Sequence, residues 1–285
     1  MHDPPAESPK AALVRLGLSP KKSFGQNFLA DQNLAARIAE LATQGGGSSG
    51  VGVIELGTGL GALTRPLLRA AGRVISVERD RDLIPALRTE FAGALDAGSL
   101  EILEADAKEI DIPALLMRLP RPHVLCGNLP YQLTGPLIEL AVGAAALLDR
   151  VVFLVQLEVA NRLCAAPGSK VYGALTVFVA AQYAARRAFV IKRGAFHPQP
   201  GVDSAVVVFD ALRPPRAIET PAFRALVQAA FAKRRKTLKN AWSGVHGLSG
   251  EAVAAAAQRA NIDLTARGET LAVEDFARMA QEISK

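Results

Sequence analysis

Asn128-Leu129-Pro130-Tyr131 ends the apolar run His123-Val124-Leu125-Cys126-Gly127. An amide, a proline-stiffened backbone and an aromatic ring, set just past a strand, can hold the exocyclic amino group of a flat base. The Asn128 amide and the Leu129 main-chain carbonyl would accept the amino hydrogens. Pro130 fixes φ, and with it the direction of that carbonyl, while the face of Tyr131 would stack on the ring. An ordinary turn after a strand has the same composition, so the tetrapeptide alone leaves both readings open.

A second constellation lies upstream. Val51–Leu56 reads as a buried strand and runs into Gly57-Thr58-Gly59-Leu60-Gly61. Glycines at this spacing permit a tight bend and let backbone approach a ligand closely. Glu78 ends the next strand, about 20 residues on, placed to accept from ribose hydroxyls. Gly57-x-Gly59-x-x-Ala62 also satisfies the dinucleotide fingerprint, so a nicotinamide-dependent dehydrogenase is a rival on these residues. Glu55 favours a cationic cofactor, because a carboxylate there suits a sulfonium or an amino group better than a pyrophosphate. Asp106, ending the third strand, offers an acceptor for an adenine amino group at the crevice where strand order reverses. The residues favour S-adenosylmethionine over NAD.

Elements that could position these groups alternate along the chain. The spacing predicts a helix over Asp31–Leu41 with Asp31 as N-cap, then a Gly/Ser-rich loop over Gln44–Gly50. Helices are expected at Leu63–Ala71, Asp80–Ala94 and Thr134–Leu148. Strands are expected at Arg73–Glu78, Leu100–Leu103, His123–Gly127 and Val151–Gln156. This alternation implies an α/β fold with a parallel sheet and right-handed crossovers. Tyr172–Phe178 and Ser204–Phe209 read as further strands, so the sheet should end near Asp210. Arg213-Pro214-Pro215-Arg216 breaks the pattern, and the chain is helical by periodicity from Thr220 onward. Three parts follow: an N-terminal arm over 1–20, loosely ordered by its composition, an α/β domain over 21–212 and a helical domain over 213–285.

The chain has 285 residues, half of them hydrophobic, and a net charge of +6, which suits a polyanionic partner. Cys126 and Cys164 make neither a disulfide framework nor a metal cluster. Met1–Pro9 lacks the apolar stretch of a signal peptide, and Ala141–Leu148 is far shorter than the ~20 residues that span a bilayer. A cytoplasmic protein with no membrane partner is expected.

Five segments in order carry a family resemblance: Lys22–Leu29 (KSFGQNFL), Glu55–Gly61, Asn128–Tyr131, Phe196–Ser204 (FHPQPGVDS) and Phe231–Asn240 (FAKRRKTLKN). Together they resemble the ribosomal RNA adenine N6-dimethyltransferases. The last is similar to the bacterial small-subunit branch, which modifies two adjacent adenosines near the 3′ end of 16S rRNA. The resemblance implies a Rossmann-like S-adenosylmethionine-dependent methyltransferase domain with a smaller all-helical C-terminal domain. It also implies that Asn27, Leu29, Gly57, Glu78, Asp106 and Asn128 line the cofactor site, joined on the residue reading by Glu55 and Gly59.

Phe196 is the expected second stacking wall for the base. His197, a loop histidine before proline, is read as positional rather than as a base. Lys233, Arg234, Arg235 and Lys236 cover consecutive helical directions, which points to a phosphate-binding patch for folded RNA. Lys21 and Lys22 are expected on the same RNA backbone, and Trp242 is expected in helix packing. The expected partner is 16S rRNA in the small ribosomal subunit, and the protein is expected to act as a monomer. The rivals are a ribosome-assembly factor acting by binding and a 23S rRNA adenine methyltransferase that confers antibiotic resistance.

Overall fold

The computed structural model describes residues 7–45, 50–233 and 235–284. Its strands are β1 (Phe28–Leu29), β2 (Gly52–Leu56), β3 (Arg73–Glu78), β4 (Leu100–Glu104), β5 (His123–Asn128), β6 (Arg150–Gln156), β7 (Tyr183–Ile191), β8 (Phe196–His197) and β9 (Ser204–Ala211). Seven of them form one sheet in the order β4-β3-β2-β5-β6-β9-β7, and β1 pairs with β8 in a separate ribbon. The pairs β4-β3, β3-β2, β2-β5 and β5-β6 are parallel, and β9 returns antiparallel to β6.

The central strands are apolar without alternation because both faces of a parallel sheet are covered. Every residue of β2 is buried, with Val53 opposite Val74 on one side and Val124 on the other. A side chain at Gly52 would stand 2.3 Å from the Pro120 carbonyl oxygen, so this strand start admits only glycine. The helix at Gln32–Thr43 begins where its cap dictates. Asp31 accepts from the amides of Asn33 and Leu34, and Ala35, Ile38, Ala39 and Ala42 face the core. Such a cap contributes about 1 kcal/mol.

Two sequence expectations are corrected. Within the arm, Ser8 caps a helix at Pro9–Arg15 that buries Leu13. Tyr172–Phe178 is not a strand: a helix runs over Ala174–Gln182 and buries Thr176, Val177, Phe178, Val179 and Ala181. A helix buried on most sides has no amphipathic period to betray it, and its Thr, Val and Phe residues mimic a strand. Residues 46–49 of the Gly/Ser-rich loop lie outside the described residues.

The chain forms two compact units. One runs from the N-terminal segment to Ala160 and includes Arg186–Asp210; the other comprises Asn161–Ala185 and Ala211–Lys285. The second therefore takes in 161–185, which the sequence reading assigns to the α/β part. Its helices, including Pro221–Ala232, Gly250–Arg259 and Val273–Ile283, close around Phe223, Trp242 and Phe276. Trp242 is fully buried and donates from Nε1 to the Leu226 carbonyl at 2.9 Å, the packing role expected of it.

Candidate active site

Strand order reverses between β2 and β5, and in open α/β sheets ligands bind at the carboxyl ends of the strands beside such a point. A pocket opens there, walled by residues 23–28, Gly57, Gly59, Glu78, Arg79, Asp106 and residues 128–133. Gly57 and Gly59 have φ of +78° and +58°, the left-handed region that glycine tolerates. A Cβ at Gly59 would also stand 3.1 Å from the Phe28 ring.

Glu78 is fixed at the tip of β3. One carboxylate oxygen accepts from the Gly59 amide and the other from the Asp80 amide, each at 2.7 Å. Burial pushes its pKa up, against the backbone amides that pull it down. Asp106 sits one strand further out. It accepts from its own loop, at Lys108 N, at 3.0 Å, and lies 3.3 Å from the Arg79 guanidinium.

The other end of the pocket is the Asn128 turn. Asn128 Nδ2 donates to the main-chain oxygen of Asn27 at 2.9 Å. Leu129 is buried, and its amide extends the sheet by donating to Leu154 O at 3.1 Å. The Pro130 carbonyl accepts from Leu133 N at 2.9 Å, which closes the turn and carries Tyr131 into the wall. Tyr131 Oη lies 2.9 Å from Ser204 Oγ at the start of β9. Burial raises the pKa of this phenol, so at neutral pH it is an uncharged, pinned ring.

Asn27, Gly57, Gly59, Glu78, Asp106, Asn128, Leu129, Pro130 and Tyr131 thus line one pocket. Three expected residues stand off it. Glu55 is buried within β2, where it accepts from Thr64 Oγ1 at 2.7 Å and from Ser76 Oγ. Leu29 and Phe196 pair across β1 and β8, and both are buried in the apolar core. Phe24, which the sequence reading passed over, puts an aromatic ring in the lining of the pocket instead. Its signal was available as a ring two residues before Gln26 in the segment already singled out.

Lys21 is also placed differently, ion-paired to Asp80 and to Asp82 rather than presented to a partner. Lys22 is exposed, as are Lys233, Arg235 and Lys236. The last three are not on a helix, since the preceding one ends at Ala232 and Lys236 N closes a turn onto Lys233 O at 2.9 Å. Arg234 lies outside the described residues.

This sheet order, with a glycine turn after β2, a fixed carboxylate ending β3 and Asp106 past β4, defines a Rossmann-like S-adenosylmethionine-dependent methyltransferase. The donor set fits that cofactor: carboxylates for hydroxyl and amino groups, and a floor without side chains at Gly57 and Gly59. The chain belongs to the ribosomal RNA adenine dimethylase family, whose model matches residues 17–285. It is 43% identical over 273 residues to the ribosomal RNA small subunit methyltransferase A of Magnetococcus marinus, covering 95% of this chain and 94% of that one. To the protein of the same name from Geobacter sulfurreducens it is 39% identical over 269 residues, 93% of this chain and 95% of the other. Among solved structures, the 23S rRNA methyltransferase ErmE superposes with a TM-score of 0.65 at 25% identity, covering 91% of this chain and 100% of that one. A dimethyladenosine transferase from Plasmodium falciparum shares the fold at a TM-score of 0.76 and 23% identity, over 90% of this chain and 97% of that one.

Proposed function

We propose that this protein transfers methyl groups from S-adenosylmethionine to N6 of two adjacent adenosines near the 3′ end of 16S rRNA. The product is N6,N6-dimethyladenosine in the small ribosomal subunit, made during ribosome biogenesis. The observation that carries the reading is the bond made by Asn128. A carbonyl can only accept, so the bond to Asn27 O puts Nδ2 on that side and leaves Oδ1 as the group aimed elsewhere. The amide oxygen of Asn128 and the main-chain carbonyl of Leu129, on two residues that both line the pocket, suit an exocyclic amino group.

Adenine N6 is a poor nucleophile because its lone pair is delocalised into the ring. Two acceptors on its hydrogens hold the nitrogen pyramidal and turn the lone pair outward. When bound, S-adenosylmethionine supplies an electrophilic methyl group on a sulfonium. Tyr131 and Phe24 offer stacking faces, each worth about 1–3 kcal/mol per base, and the adenosine must leave its stack to reach them. Holding nucleophile and methyl in line contributes as proximity does in any bimolecular step. The methylated nitrogen loses its proton readily, so the site needs no strong base.

The small subunit is favoured over the large one by the names of the relatives at about 40% identity and by the Lys233–Asn240 segment. Lys22, Lys233, Arg234, Arg235 and Lys236 are the proposed phosphate-binding residues, the last four in the helical part over 213–285. No described helix is long and apolar enough to cross a membrane, and we place the protein in the cytoplasm as a monomer.

The experiment is transfer of labelled methyl to small subunits that lack N6,N6-dimethyladenosine and, in parallel, to large subunits, followed by nucleoside analysis. Dimethyladenosine in 16S rRNA is the expected product. Label in 23S rRNA alone would transfer the reading to the large subunit, and binding without label would leave an assembly factor.

A further inference from the structure

Residues 23–28 form one side of the pocket, and a compact ionic knot at Lys21 and Gln26 ties this segment to the loop after β3. Lys21 Nζ donates to Asp80 Oδ1 and, at 2.6 Å, to Asp82 Oδ2. Gln26 completes the ring: its Oε1 accepts from Lys21 N, and its Nε2 donates to Asp80 Oδ2, both at 2.8 Å. The Asp80 side chain is only 3% exposed although it carries charge. A buried carboxylate stripped of its cation is strongly disfavoured, so Asp80 needs Lys21 and Gln26 where they are.

The knot reaches the pocket by two routes. Asp80 donates its own amide to Glu78 Oε1 at 2.7 Å. Phe24, on the wall, has two cations near its ring, with Lys21 Nζ 5.4 Å and Arg79 Cζ 5.0 Å from the centroid. Such cation–π interactions add to the hold on the ring. Arg79 in turn reaches Asp106 at 3.3 Å.

We propose that Lys21 and Asp80 are a latch that holds residues 22–28 shut against the methyl donor. Lys21 is a positioning residue for the cofactor rather than an RNA-binding group. The inference rests on the pocket taking S-adenosylmethionine, and it adds a device that sets the affinity for it. Because Lys21 is one-third exposed, salt screens the latch in part.

The test is S-adenosylmethionine binding by calorimetry for the wild type, Lys21→Met and Lys21→Arg at low and high salt. Turnover at saturating donor and binding to small subunits are measured alongside. The expected result is about tenfold weaker donor binding in Lys21→Met, the scale of one charge-assisted bond. Salt dependence of donor binding should flatten in that variant, and Lys21→Arg should restore the affinity. Turnover at saturating donor and subunit binding should stay near wild type. Should Lys21→Met fail to fold, Asp82→Asn, at a half-exposed carboxylate, should weaken donor binding in the same direction by a smaller factor. Unchanged donor affinity in whichever variant folds overturns the latch. So does weakened subunit binding at unchanged donor affinity, which would return Lys21 to the RNA. A wild type that does not bind the donor at all would overturn the pocket assignment itself.

Discussion

Asn128 and Asn27, 101 residues apart, are joined by a bond from the Asn128 amide nitrogen to the Asn27 main-chain oxygen at 2.9 Å. The bond links two walls of the pocket, and it settles which end of the Asn128 amide is free. The two asparagines therefore act on different partners. In the proposed reaction Asn27 contributes backbone, while Asn128 contributes an oriented acceptor.

Tyr131 should act through its ring more than its hydroxyl. Tyr131→Phe keeps the ring and loses the bond to Ser204, a net loss of about 1 kcal/mol, and its turnover should stay within a few-fold of wild type. Tyr131→Ala loses base stacking, about 1–3 kcal/mol, and should slow methyl transfer about 10- to 100-fold. Steady-state kinetics on undermethylated small subunits check the pair; equal losses would deny the ring its role.

Gly59→Ala should damage the cofactor site rather than the fold. The position combines φ of +58° with a ring 3.1 Å from the new methyl, and the left-handed backbone alone costs about 1 kcal/mol. It also carries the amide that holds Glu78. Donor affinity should fall about tenfold or more, measured by calorimetry, with a melting temperature close to wild type.

Glu55 should make stability depend on pH. Burial pushes its carboxyl up to about 7 from 4.5, against the Ser76 and Thr64 hydroxyls that pull it down. Between those values the folded protein keeps the proton and the unfolded chain releases it. This contribution is complete at acid pH and is lost as pH rises toward 7, by at most about 3 kcal/mol. Glu55→Gln keeps the acceptor for Thr64 and Ser76 without the titration. Denaturant midpoints at pH 5 and pH 8 should lie closer together in the variant, and an unchanged spacing would contradict the assignment.

The basic loop should show itself in salt. Replacing Lys233, Arg235 and Lys236 by Ala should weaken rRNA binding and lower its salt slope by about 0.7–0.9 for each phosphate that is no longer neutralised. A titration of subunit binding against potassium chloride reads this directly. An unchanged slope removes the loop from the interface.

The central strands were legible in the sequence because parallel strands covered on both faces appear as unbroken apolar runs. β7 was not, since Arg186 and Arg187 interrupt it. Asn128, Gly57 and Glu78 were legible for a related reason: a motif at a strand's end must face the crevice. Glu55 misled because it lies inside the strand, opposite Ser76 and Cys126. Its side chain is therefore committed to the buried layer and not to the tip. The Lys21–Asp80 knot joins residues 59 apart through side chains alone, and no local pattern records it. Lys233–Lys236 read as helix from periodicity, but the helix stops at Ala232.

The measurement closest to the central claim is methyl transfer by Asn128→Ala to undermethylated small subunits, with donor affinity measured on the same protein. Loss of an acceptor that polarises the nucleophile should lower turnover about 100- to 1,000-fold, with donor bound well enough to saturate. Turnover within a factor of three of wild type would contradict the account.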